Sequence, residues 1–557
     1  MSSERLIYLP LGGAGEIGMN CYVYGYGKPD QERLIVVDLG VTFPDMDSTP
    51  GVDLILPDVS WLEARKDRIE AVFITHAHED HVGAVGHFYQ RLGAPIYARP
   101  FTAAIARRKL DEHAAPESAL RIVGSYPDQV DAGPFKVYFV PISHSIPESA
   151  GLAIDSPEGR ILHTGDFKID ETPVLGEAFD RNLWADVAKG GVRALVCDST
   201  NVFSADPGRS EATVGPEIEK MMRDQPGMVV ATTFASNVAR LKTLAEAADR
   251  AGRSVCLLGR AMRRMVEAAT ETGLLTEFPQ TVSPEEAQSI PRQNLMLLVT
   301  GSQGERRAAS AQLSRGKYLG LMLKEGDTFL FSSKIIPGNE RGVISIMNAL
   351  SEMGVDVIDD DSRYHTSGHA NRPDLEEMHR ITQPQILIPM HGEHRHLRRH
   401  AQIGSDNGMA SIVAVNGMMI DLSGNAPTVA EYIETGRTYL DGTAKVGQFD
   451  GIVRDRIRMA LNGQVVVTVI MDEHGDPLGG AWCELRGLTE TGSSNAPLVE
   501  VIEEDLNQFL GRADNKTLAN DDKLEEALRR VVRNTTNGEI GKKAEVVVVI
   551  SRLALGV

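Results

Sequence analysis

Residues 75–81, THAHEDH, follow directly on the apolar run AVFI and place His76, His78, Asp80 and His81 in a single loop. A strand that ends in such a loop holds its donors rigidly while the connection stays outside the sheet. The spacing lets alternate residues face two neighbouring ions. Imidazole and carboxylate donors suit Zn²⁺ and similar divalent metals, and the lack of thiolates argues against a closed structural zinc site. The pattern recurs in RLIVVDLG, KVYFVPISH, GRILHTGD and ALVCDST, where β-branched runs lead to Asp38, His144, Asp166 and Asp198, and again in ILIPMH, which leads to His391. A chain built this way is expected to gather strand ends on one rim of a sheet.

From about Asp206 to Asp361 the pattern changes. RLKTLAEAADRAG has helical spacing, while MVVATTF, SVCLLG, NLMLLVT and DTFLFSS read as buried strands, the alternation of a doubly wound α/β unit. His-rich loops then return in RYHTSGHA and ILIPMHGEHRH, so one domain is read as inserted into another. Residues 436–451 have little periodicity and read as a linker. Beyond them, RIRMALNGQVVVTVIMDEHGDP and AWCELRGL read as strands with a DEHGDP turn. DDKLEEALRRVVRN reads as a helix and AEVVVVISRL as a last strand, which together make a small C-terminal α/β domain.

A length of 557 residues calls for more than one core. The formal net charge of -20 excludes a broadly basic surface, so any nucleic-acid site must be local. The four cysteines, Cys21, Cys197, Cys256 and Cys483, are far apart with no CxxC pair, which fits a reducing, cytoplasmic setting. The start, MSSERLIYLPLGG, lacks a signal-peptide pattern, and no apolar stretch reaches membrane-spanning length, so no membrane association is expected.

The order HxHxDH, then a His, an Asp and a late His, resembles the metallo-β-lactamase superfamily. That resemblance implies a four-layered αββα sandwich holding two divalent ions, with Zn²⁺ expected and Mn²⁺ or Mg²⁺ as alternatives. Carried over by position, His76, His78 and His144 would hold one ion and Asp80, His81 and His391 the other, with Asp166 bridging and Asp38 supporting. The insertion between CDSTN and HTSGH resembles the β-CASP nucleases and implies Asp198 and His369 as further catalytic groups beside Asp80. LGGAGEIGMN, THAHEDHVGA, HTGDFKID, CDSTN, TTFASN, VTGSQGE, SSKIIPGNE, HTSGHA and IPMHGEHRH are similar to the ribonuclease J family in the same order, over residues 11 to about 400.

The implied layout is a metallo-β-lactamase domain in two parts, 1–205 and 362–435, a β-CASP domain at 206–361, a linker at 436–451 and a C-terminal domain at 452–557. The implied activity is 5′-to-3′ exonuclease and endonuclease cleavage of single-stranded RNA, with preference for a 5′-monophosphate, in a homodimer or homotetramer. For the terminal phosphate the candidates are Ser236 and Asn237 of FASN with His365, Ser367 and Gly368 of HTSGH, because hydroxyls, amides and Gly-rich backbone donate to phosphate oxygens. Ser236 and Asn237 equally suit the cap of a following helix. The cluster Arg395, His396, Arg398, Arg399 and His400 reads as a solvated helix face in preference to an RNA path. The alternatives are a DNA nuclease or small phosphodiesterase with the same metal set, and a non-catalytic RNA-binding scaffold. The last is disfavoured because all seven ligand positions carry competent residues.

Overall fold

The computed structural model describes residues 4–336, 338–359 and 361–553. They divide into two compact units, Met1–Thr42 with Leu56–Arg437, and Phe43–Ile55 with Thr438–Val557.

The larger unit is built on two sheets whose apolar strands face each other. One has eight strands, with Cys21–Gly27, Arg33–Val37 and Ile69–Phe73 in its middle; the other has seven, in which Gly159–His163, Val192–Asp198 and Pro384–Met390 are neighbours. Alternation along each strand sends one set of side chains between the sheets. Tyr8, Tyr24, Ile35, Val37 and Phe73 from the first meet Phe139, Leu152, Ile154, Val196 and Ile388 from the second in one buried core. The outer face of the seven-stranded sheet is covered by helices that bring in Trp184, Val187, Leu375, Met378 and Ile403. Helix Pro100–Asp111 packs beside the parallel edge of the eight-stranded sheet. These are the four expected layers.

The segment between Asp198 and the HTSGH loop carries its own five-stranded sheet, in the order Ser254–Leu258, Leu295–Val299, Val229–Thr232, Thr328–Phe331, Asp356–Ile358, with every pairing parallel. Both of its faces are buried. Val230, Leu297 and Phe329 point to one side, under Val343, Ile346 and Leu350; Val229, Met296 and Leu330 point to the other, under Ile218, Leu241 and Leu244. After this excursion the chain re-enters the seven-stranded sheet, and Pro384–Met390 pairs in parallel with Val192–Asp198.

In the smaller unit, Gln464–Asp472 lies between Trp482–Arg486 and Glu545–Leu553. Val465, Val467, Val469 and Met471 pack against Ile502 and Leu506 of one helix and Leu524, Leu528 and Val532 of another. Two expectations differ here. RIRMALN, read as strand, lies within helix Ile452–Asn462, because Arg, Met, Ala and Leu favour a helix and Gly463, at a positive φ of +69° open to glycine, ends it before the strand begins. Residues 436–451, read as linker, contain the hairpin Arg437–Asp441 and Ala444–Gly447, and the Asp53 amide donates to the Leu440 carbonyl.

Candidate metal centre

Strand Ile69–Phe73 delivers the THAHEDH loop to the rim, and short helix Glu79–Val82 turns Asp80 and His81 inward. The loop is held from below. Asp38, fully buried at φ +64°, accepts from the Thr75 amide at 2.8 Å, the Thr75 hydroxyl and His81 Nδ1 at 2.7 Å. Such a backbone conformation is costly for a residue with a Cβ and persists where surrounding bonds over-determine it. Gly40 has a different reason: a Cβ there would lie 1.6 Å from the Asp80 carbonyl oxygen, so any side chain would displace the loop.

All seven sequence-predicted donors come together. His76, His78, His144 and Asp166 form one group, Asp80, His81, Asp166 and His391 a second, and Asp166 belongs to both. Its Oδ2 is 3.3 Å from His81 Nε2, 3.5 Å from His391 Nε2, 3.7 Å from His76 Nε2 and 3.8 Å from His144 Nε2. His78 uses Nδ1, which is 3.1 Å from both His76 Nε2 and His144 Nε2.

The outer partners explain this orientation. His76 Nδ1 faces the Thr75 hydroxyl at 3.0 Å, His81 Nδ1 faces Asp38, His144 Nδ1 donates to the Gly368 carbonyl at 2.6 Å, and His391 Nδ1 donates to Asn20 Oδ1 at 3.0 Å. Each bond spends the Nδ1 hydrogen and leaves Nε2 as a lone-pair donor toward Asp166, the arrangement metal-binding histidines need. Asp166 Oδ1, although buried, has no protein partner. A buried carboxylate oxygen left unmatched among convergent imidazoles fits a shared cation. The donor set fits two divalent ions.

Charge supports the same fit. Burial holds His76 and His144 well below the usual imidazole value and His78 down to about 4, so all three are neutral near pH 7. Against burial, His391 and His81 hold the Asp166 carboxyl well below the usual range, so it stays ionised. His81 is the exception: burial lowers it, but Asp166, Asp80 and Asp38 outweigh that and raise it.

His369 forms a third group with Asp198 and Asp166. Its Nδ1 is 2.8 Å from Asp198 Oδ2, and Asp198 Oδ1 is fixed by the Thr200 amide and hydroxyl. Burial would lower this imidazole, but Asp198 raises it to about 9, with Asp166 and Asp80 adding to the effect.

The terminal-phosphate candidates occupy two loops. Asn237 caps helix Val238–Arg250, its Oδ1 accepting the Arg240 amide at 2.9 Å, which leaves only its NH₂ group to donate elsewhere; Ser236 precedes it in the same loop. Ser367 Oγ accepts from Asn201 and from the His369 amide. Gly368 lies so close to His144 that a Cβ would be 3.0 Å from its ring. His365 Nδ1 faces Arg240 Nη1 at 3.3 Å, and burial together with Arg240 pushes it down to about 3.

Sequence reasoning did not single out Asn20. Its amide bridges Asp80, His81 and His391, with its Oδ1 held by the Tyr22 hydroxyl at 2.6 Å. The available signal was a polar residue directly before the apolar run CYVYGYG.

Residues 14–215 match the metallo-beta-lactamase superfamily, 226–350 the ribonuclease J beta-CASP domain, 360–414 the RNA specificity domain of Zn-dependent metallo-hydrolases, and 451–553 the ribonuclease J C-terminal domain. The chain is 40% identical over 556 residues to ribonuclease J of Sinorhizobium meliloti, an alignment covering 99% of this chain and 98% of that one. The chain belongs to the ribonuclease J family. Ribonuclease J of Mycolicibacterium smegmatis is 35% identical over 94% of this chain and 93% of its own length. A crystal structure of a protein of unknown function from Enterococcus faecalis shares the fold, with a TM-score of 0.50 and 17% identity over 75% of this ribonuclease J family chain and all of its own. The fold is therefore a metallo-β-lactamase sandwich with a β-CASP insertion and the family's C-terminal domain. No helix among the described residues is long and apolar enough to cross a membrane.

Away from the centre, His379 and His400 stack with their Nε2 atoms 3.0 Å apart beside Cys197, and Ser199 Oγ is 2.9 Å from His400 Nδ1. Burial pushes His379 down to about 4 and His400 well below its ordinary value of 6.5. Both are lower in the folded chain than in the unfolded one, so the unfolded chain takes up more protons as pH falls. The stability they contribute is present above about pH 6.5 and is lost toward pH 4. Urea unfolding of metal-stripped protein should weaken across that window by about 1.4 kcal/mol per pH unit for each proton taken up. His379→Gln should flatten the slope; an unchanged slope would show that the pair does not control it.

Proposed function

We propose that this chain is a metal-dependent ribonuclease that hydrolyses single-stranded RNA, removing nucleotides 5′-to-3′ and also cutting internally, with 5′-phosphate products. The observation that carries this reading is the double membership of Asp166, which sits in both donor groups while His369 and Asp198 stand beside it. Two divalent ions, Zn²⁺ expected and Mn²⁺ or Mg²⁺ as alternatives, would be held by His76, His78, His144, Asp80, His81, His391 and Asp166. When bound they supply an activated water and neutralise phosphate charge.

The protein's own groups do the remaining work. Asp198 fixes the His369 ring through Nδ1, so the other ring nitrogen is the proton donor for the leaving oxygen, a role an imidazole fills well near neutral pH. Asp38, Thr75, Asn20 and Gly368 hold four imidazoles in their working orientation. Asp80 is partly exposed, its side chain at 29%. Ser236, Asn237, His365, Ser367 and the Gly368 backbone are proposed to receive a 5′-monophosphate. The same reading assigns residues 1–205 and 362–435 to the metallo-β-lactamase domain, 206–361 to the β-CASP domain and 452–557 to an assembly domain of a homodimer or homotetramer. It assigns RNA maturation and turnover in the cytoplasm, including rRNA processing and mRNA decay.

Purified, metal-loaded protein should release mononucleotides stepwise from a 5′-monophosphorylated RNA, act weakly on the matched DNA, and be slowed by a 5′-triphosphate. His369→Ala should lose on the order of 10²–10⁴ in rate with metal content unchanged. Intact RNA alongside hydrolysis of bis(p-nitrophenyl) phosphate would move the assignment to a small phosphodiesterase.

A further inference from the structure

Helix His394–Asp406 begins three residues after His391. Its histidines turn inward: His396 and His400 are buried, with His396 Nδ1 accepting the Glu393 amide at 3.1 Å and His400 facing Ser199 and His379. Arg395 and Arg398 are exposed and Arg399 is half-buried. At spacings of three and four residues the three share one helix face. Among the described residues none of them makes an ion pair with a carboxylate, whereas arginines on other surface helices do so, as Arg380 does with Glu377 and Arg529 with Glu525. In a chain of net charge -20, three uncompensated guanidinium groups on one face form a local site of positive potential.

An aromatic ring completes it. Phe203 is 52% exposed, the Arg395 guanidinium lies 5.6 Å from its ring centre, and the His396 ring is 5.3 Å away. Phe203 follows Asp198 by five residues. The intervening loop is tied to the centre, because the Thr200 amide and hydroxyl donate to Asp198 Oδ1 and Asn201 bonds Ser367 and the His369 carbonyl. Both edges of the patch therefore grow out of loops that carry His391 and Asp198.

We propose that Phe203 with Arg395, Arg398 and Arg399 forms a binding strip for single-stranded RNA beside the metal centre, one base stacking on the Phe203 ring and successive phosphates meeting the arginines. An exposed aromatic flanked by cations is the combination that holds single strands without reading sequence. The inference rests on the ribonuclease reading and reverses the expectation of a merely solvated helix face.

The test is fluorescence anisotropy of a labelled 5′-monophosphorylated RNA with metal-loaded His369→Ala protein, across a salt series. Adding Arg395→Ala, Arg398→Ala and Arg399→Ala should raise Kd about tenfold or more and reduce the slope of log Kd against log salt by about 2, the value for three phosphates on a single strand. Phe203→Ala should raise Kd about tenfold with the slope intact. On an otherwise unaltered chain, the same substitutions should leave bis(p-nitrophenyl) phosphate hydrolysis unchanged, which also shows the fold is intact. Unchanged Kd and slope would overturn the strip, as would loss of small-substrate hydrolysis along with binding, or a change confined to oligomeric mass in light scattering. Failure of the unaltered protein to cleave RNA would overturn the ribonuclease reading instead, and the anisotropy result would still decide the strip.

Discussion

Asp166→Ala is expected to slow hydrolysis of both RNA and bis(p-nitrophenyl) phosphate by on the order of 10³-fold or more, and to reduce tightly bound metal from about two ions per chain to one or fewer. The expectation follows from position. Asp166 is the single carboxylate common to both donor groups, with four imidazole Nε2 atoms between 3.3 and 3.8 Å from one of its oxygens. Without it, the carboxylate shared by all four imidazoles is gone, and only Asp80 remains, beside His81 and His391. Asp166→Asn keeps the volume and removes the charge, so it should reproduce the loss if charge is the cause. Activity lost with full metal content would make Asp166 a proton carrier and not a ligand; activity retained would end the two-ion reading.

Arg240→Met is expected to destabilise the inserted domain by about 3–5 kcal/mol, with a matching fall in the urea midpoint of its unfolding. Arg240 is wholly buried. Its guanidinium makes paired bonds to Glu211 at 2.5 and 2.8 Å, and reaches the Ser332 carbonyl and hydroxyl, the Tyr364 carbonyl and His365. Removing the cation leaves the Glu211 carboxylate buried at 4% exposure without its partner, and that uncompensated charge is the larger part of the cost. Glu211→Gln combined with Arg240→Met should therefore recover a substantial share of the loss. If the double variant is no more stable than the single, the damage comes from the freed Tyr364 carbonyl and His365 ring and not from the charge. Because Tyr364 leads into HTSGH, the single variant should also lose RNA cleavage.

The metal loop was legible because its residues are neighbours in the chain: an apolar run followed by four donors needs no tertiary information. Asp166 and His391 were legible by the same logic at other strand ends. What escaped depends on contacts between distant segments. Asn20 orients a histidine 371 residues away, and Arg240 reaches 125 residues to His365. The cluster RHLRRH could not be resolved from composition, since only the helix register decides that His396 and His400 face inward while Arg395 and Arg398 do not. RIRMALN escaped for a local reason, its apolar residues being separated from the β-branched run Val465–Val469 only by Asn462, Gly463 and Gln464, with Gly463 marking the change.

The insertion of the five-stranded sheet between Val192–Asp198 and its parallel neighbour Pro384–Met390 has a consequence for synthesis. His391 follows the second of these strands, so a growing polypeptide lacks the last donor until residue 391 of 557 has left the ribosome and the interposed sheet has been made. A nuclease translated from the very class of molecule it destroys would thus complete its metal centre only after the interposed sheet has been made.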